Sequence, residues 1–196
     1  MARPIDYERL IIGYHGCDRE LGERVLLNGE GLRTSNNRYD WLGQGIYFWE
    51  HGPARAYEWA QEMHARSKIG TPYVLGAFIH LGRCFDLTDT SATHLLGGWY
   101  DELLHAFQQA DQPMPENQSS PAGEHDLLLR NLDCAVLNLG LATLDRDKRG
   151  HAYQTVRGVF PEGAPAFPGA RIMRKTHVQV AVRDPDCIVG YFRPAQ

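Results

Sequence analysis

Apolar positions along the chain fall into short runs divided by polar, glycine-bearing turns. "RLIIGYHG" (9–16) reads as a buried strand ended by Gly16. Asp18 is placed to cap a following helix with Leu21, Val25 and Leu26 on one face. The two glycines of "NGEGL" (28–32) stop that helix. Residues 33–45 are polar and turn-rich, hence a loop, and "IYFW" (46–49) is a short strand of aromatic and β-branched residues. The segment 51–67 is a helix: Pro53 suits its first turn, and Ala56, Trp59, Ala60 and Met63 recur at helical spacing. A long strand follows over 71–89, with a bend expected at Gly76 or Gly82. The pattern then predicts a helix over 93–110, a linker-like loop over 111–126, and a buried helix from 127 to about Leu139 within the apolar stretch 127–144. Three prolines and three glycines make 156–175 a long surface loop with strand edges. The alternation in "THVQVAVRD" (176–184) is that of a half-buried strand, and "CIVGYFRP" (187–194) is a last strand. Helices and strands interleave irregularly, which argues for an α+β class over a doubly wound parallel sheet.

Length and composition change little. The 196 residues suit one domain, and 43% hydrophobic with 22% charged content excludes a disordered or fibrous chain. A net charge of −4 gives no global basic field for nucleic acid. Residues 146–196, however, carry nine Lys/Arg against four Asp/Glu, which is either a solvated face or the lining of a groove for an anion. Four scattered cysteines form no C-x-x-C pair and no histidine cluster has zinc spacing, so no metal is expected. No apolar run is long enough to cross a bilayer, and the N-terminal "MARPIDYERL" lacks the apolar centre of a signal peptide. These features predict a soluble, cytoplasmic protein with no membrane partner.

Candidate chemistry sits in three short pieces: His15-Gly16 at a strand end, "GQGIYF" at 43–48, and Gln179 on a late strand. Taken alone, His15 is either a satisfied core side chain or one wall of a site. Together with "GLR" (31–33), the ordered set "YHG", "GLR", "GQGIYF" and "THVQV" resembles the diphtheria-toxin-like, poly(ADP-ribose)-polymerase-like branch of the ADP-ribosyltransferases. The resemblance covers residues 11–90 and 171–192 and is weak over 91–155, a helical and loop insertion. It implies a single catalytic domain over 1–196, built as a split antiparallel β-sandwich with flanking helices and an NAD cleft.

What the resemblance implies for the site is an H-Y-E triad, here H-Y-Q: His15, Tyr47 and Gln179. A shift of two residues in register would exchange Gln179 for His177. The implied NAD-binding residues are His15 for a ribose hydroxyl, Gly16 for the carboxamide, Tyr47 against the nicotinamide, Arg33 for the pyrophosphate, and Tyr57 (or Trp59) closing the other side. NAD is substrate, and no metal is called for. Its leaving group is already cationic, so positioning and electrostatics carry the reaction and no general acid is needed. Gln179 hydrogen-bonds but bears no charge, so transfer is expected to be mono-ADP-ribosylation, with Glu162 a candidate substitute carboxylate. The acceptor is a protein or RNA/DNA; Arg171, Arg174 and Lys175 beside the loop favour an anionic one. A toxin or defence effector with an antitoxin or immunity partner fits this pattern. The rival readings are an NAD glycohydrolase and an inactive NAD- or ADP-ribose-binding module.

Overall fold

A computed structural model of the chain describes residues 6–119, 127–146 and 152–195. Among them the order is β1 (Asp6–Asp18), α1 (Arg19–Asn28), β2 (Ile46–Glu50), α2 (Pro53–Ala65), β3 (Pro72–Asp86), α3 (Thr90–Gln109), β4 (Asn117–Gln118), β5 (Leu129–Arg130), α4 (Asn131–Asp145), β6 (Thr155–Phe160), β7 (His177–Val182) and β8 (Ile188–Phe192). The protein is α+β, with a mixed six-stranded sheet in the order β1-β2-β7-β6-β3-β8 and a further β1–β3 pairing. Neighbours are antiparallel except β3 and β6.

These pairings differ from the expected pair of separate antiparallel sheets. The 15 residues of β3 serve both halves. Its first part pairs with β1, from Asp18↔Pro72 to Asp6↔Arg83, and with β8 over Gly76–Ile79. After Gly82, whose φ of +53° turns the strand, Cys84–Asp86 run alongside β6. Strands β1, β2, β7, β6 and β3 therefore close on themselves, and β8 lies outside on β3.

Two apolar clusters sit on this frame. One contains Ile11, Ile46, Phe48, Leu75, Ile79 and Val180. The other joins the sheet to α3 and α4 through Leu42, Phe85, Trp99, Leu137, Val156 and Ala181. The second cluster explains why α4 outruns the expected end near Leu139. Gly140 is the point at which Trp99 of α3 packs onto α4; a methyl group there would overlap the indole. Strand β1 likewise runs through Gly16 to Asp18, whose carboxylate accepts from Glu20 N at 2.9 Å and from the Gly70 amide. The loop expected over 111–126 contributes the short β4, which pairs with β5; residues 120–126 lie outside the described set. The segment 156–175 divides into β6 and a small hairpin closed by the Pro165↔Met173 bridge. One buried ion network stands apart from both clusters. Arg157 Nε meets Glu50 Oε2 at 2.6 Å, and its NH1 meets Asp86 Oδ2 at 3.1 Å.

Candidate active site

Strand register builds the site. Arg19 N donates to Thr71 O, and His51 N donates to Ile12 O. Odd-numbered residues of β1 therefore turn their peptide groups toward β3, and even-numbered ones toward β2. The β1–β2 ladder covers only Gly13↔Glu50 and Tyr14↔Trp49. The next hydrogen-bonded pair would have been Gly16 and Tyr47. Instead the strands part, and His15 Nδ1 lies 2.8 Å from the Tyr47 carbonyl oxygen. A carbonyl only accepts, so Nδ1 carries the hydrogen and Nε2 of the neutral ring is an acceptor. Burial holds the His15 pKa below its ordinary value, and the Tyr47 carbonyl offsets this in part. The Gly16 N–H and C=O face the gap on that edge.

Gly16 has a packing reason as well. A side chain there would overlap the Ala56 carbonyl oxygen and stand 3.1 Å from Trp59 Cε3, so its absence lets α2 lie directly on β1. Tyr47 is also structural in part. Its hydroxyl donates to Gly43 O at 2.6 Å and accepts from Leu42 N at 2.8 Å, which fastens the loop before β2. Burial raises the phenol pKa well above its usual range. Asp40 completes the fastening by accepting from Ser35 Oγ and Asn37 N, both at 2.8 Å.

The expected residues converge only partly. Alternation puts Gly16, Tyr47, Trp49 and Gln179 on one sheet face, because Tyr14 opposes Trp49 and Trp49 opposes Gln179. The ring of His15 lies on the other face, 5.7 Å from that of Phe48, and joins Tyr47 through the main chain. Gln179 is half-buried, and its amide makes no hydrogen bond to another described residue. Arg33 is exposed and likewise has no partner among the described residues. Tyr57 is 45% exposed and faces a cleft of about 490 Å³ shared with Arg19, Tyr73 and Arg193. Trp59, not Tyr57, abuts Gly16.

Around Gln179 the structure assembles aromatic and charged side chains that no sequence motif joins. His177 lies one step along β7 on the same face, among Trp41, Trp49 and Phe160, at ring separations of 5.9, 6.4 and 5.9 Å. Arg55 of α2 lies over Trp49 at 5.6 Å and binds Glu162 with NH2 at 2.9 and 3.0 Å. Arg130 lies over Trp41 at 4.2 Å. Glu162 is thus committed to Arg55 and buried, which removes it as a free substitute carboxylate. The available signal was the Tyr47/Trp49 alternation, which placed Trp49 on the same face as Tyr47. The cysteines add no nucleophile: burial pushes the Cys17 and Cys84 thiols up to about 12.

No family model matches the chain, and no curated protein or solved structure matches it. Among the described residues, no group of three or more His, Cys, Asp or Glu is placed to hold a metal ion, and no helix is long and apolar enough to cross a membrane.

Proposed function

We propose that this protein is an NAD-consuming mono-ADP-ribosyltransferase of the H-Y-Q type, with NAD lying where β1 and β2 part. The observation that carries this reading is the Gly16 peptide at the end of the β1–β2 ladder. A primary carboxamide has one donor edge and one acceptor edge. A strand peptide group with N–H and C=O turned to an open edge complements both. Beside it the neutral His15 offers Nε2 to a ribose hydroxyl, and Tyr47 and Gln179 share the face on which Gly16 lies. Arg33, exposed and without a partner among the described residues, is placed to meet the pyrophosphate. Tyr57 is too far round α2 for the nicotinamide ring in this arrangement, so that role passes to Trp59.

Transfer cleaves the bond between ribose C1′ and the nicotinamide nitrogen, with the electron pair leaving on nicotinamide. Gln179 can hold the ribose 2′-hydroxyl but supplies no charge, so chain elongation is not expected. The acceptor is a macromolecule, protein or nucleic acid. The exposed hairpin residues Phe167, Arg171, Ile172 and Arg174 are the surface offered to it. NAD and four buried free cysteines suit a reducing cytoplasmic setting, and a toxin or defence role with a protein antagonist fits such an activity.

Adenine-labelled NAD incubated with the protein and cell extract tests this. Label on macromolecules sensitive to protease or nuclease supports transfer and names the acceptor class. Absence of both NAD binding and nicotinamide release refutes it. One observation favours a second reading: Glu162 is bound to Arg55 and Gln179 is neutral, so neither supplies a free carboxylate, as in an inert NAD-binding module. Binding without turnover would select that alternative.

A further inference from the structure

Side chains that the proposed transfer does not use surround His177. Its Nδ1 lies 2.6 Å from Lys175 O and 3.5 Å from Glu162 Oε2. Both neighbours only accept, so Nδ1 carries the hydrogen and Nε2 is left with a lone pair. That Nε2 is buried and makes no hydrogen bond to a described protein group, in a residue only 8% exposed. In the same condition are Trp49 Nε1, in a residue 6% exposed, and Arg55 Nε. Buried polar atoms of this kind almost always have a partner. Trp49 and His177, whose rings lie 6.4 Å apart, are chemically complementary through one small molecule: an oxygen that accepts from the Trp49 N–H and donates to His177 Nε2. Water is the smallest such group.

The geometry points to a water molecule held between Trp49 Nε1 and His177 Nε2, with His177 as the base that activates it as a nucleophile on the Gln179 face. Resting on the NAD reading above, this assigns the protein a built-in hydrolytic branch. Trp49 stands directly across from Gln179 in the β2–β7 pairing. His177 is two residues along β7, about 6.6 Å away by strand spacing. As the bond from C1′ to nicotinamide breaks, the water oxygen bonds to C1′ and one water proton passes to Nε2. The products are nicotinamide, ADP-ribose and a proton released on return to neutral imidazole.

The charged groups facing the ring are Arg55 from α2, Arg130 from the segment before α4 and Glu162 from the turn after β6. Burial first, and then the two arginines, push the His177 pKa down to about 4. A base that weak suits capture of an oxocarbenium-like centre, which needs little help from the nucleophile; a free glutamate carboxylate has a similar value of about 4.3. Glu162 and the Lys175 carbonyl are positioning groups: they hold the Nδ1–H tautomer and aim Nε2.

Two measurements test the inference. In ¹⁵N-labelled protein, two-bond correlations should show His177 as the Nδ1–H tautomer, and a water-selective NOE should reach the Trp49 indole N–H. The opposite tautomer, or an indole without that NOE, overturns the water site whatever the protein does with NAD. Release of free ADP-ribose from NAD should then fall by on the order of 10²-fold or more in His177→Gln. In Trp49→Phe, which keeps the packing ring, it should fall about tenfold. NAD affinity should stay unchanged in both. Unchanged hydrolysis with retained NAD binding overturns this role alone, whereas wild-type protein that does not bind NAD overturns the parent reading.

Discussion

Acid should destabilise this protein through His177. In the unfolded chain a histidine titrates near 6.5, whereas burial against Trp41, Trp49 and Phe160, with Arg55 and Arg130 nearby, pushes the folded value down to about 4. Between those values the unfolded state binds a proton that the folded state does not, so stability falls as pH falls. The full difference is worth about 3 kcal/mol. Between about pH 7.5 and pH 4.5 the expected loss from this group is about 2.5 kcal/mol. The ring is nearly fully buried, so solvent screening takes little from that figure. His15, also held below its ordinary value by burial, adds a loss of the same sign. The lowered carboxylates Asp18 and Asp89 act below this window, because their stabilisation is lost only as pH falls through their depressed values. The assay is urea unfolding at a series of pH values for wild type and His177→Phe, which keeps the ring in its aromatic surroundings. The difference between the two proteins should shrink or invert toward low pH by about 2.5 kcal/mol. Parallel stability curves for the two proteins would refute the burial argument.

Other perturbations follow from individual contacts. Gly16→Ala should cost about 1–3 kcal/mol in denaturant unfolding, because the new methyl meets the Ala56 carbonyl on rigid helix backbone. Tyr47→Phe leaves the Leu42 amide without its acceptor; a loss of about 1–3 kcal/mol and faster hydrogen exchange at Leu42 should result. Arg157→Met leaves the buried Glu50 with only the partly exposed Arg9 and Asp86 with only Thr88, and should cost about 3 kcal/mol, read by the urea midpoint at neutral pH.

The strand and helix order was legible because apolar periodicity is local: β2, α2 and β7 fall close to where the pattern puts them. Pairing was not legible. Nothing within 71–89 shows that one strand serves β1, β8 and β6, because that depends on partners as distant in sequence as Phe192 is from Gly76. The end of α4 was misplaced for the same reason. Gly140 reads locally as a helix stop, and only the approach of Trp99 makes it a contact point. In the site, the motif residues His15 and Tyr47 meet, though through Tyr47's carbonyl rather than its ring. Tyr57 and Trp59 were interchangeable in sequence, since helix register decides which one faces β1. The His177 cluster draws Trp41, Arg55 and the Phe160/Glu162 pair from three separate segments, and no short motif carries it.

The central claim is that NAD is gripped where β1 and β2 part. It is tested most directly by titrating NAD into protein labelled at the histidine ring nitrogens while following His15 Nε2. The account predicts a saturable shift of that nitrogen, with the Nδ1–H tautomer retained, and loss of NAD affinity in His15→Ala without loss of fold. An unchanged His15 ring at saturating NAD, or undiminished affinity in His15→Ala, would contradict it.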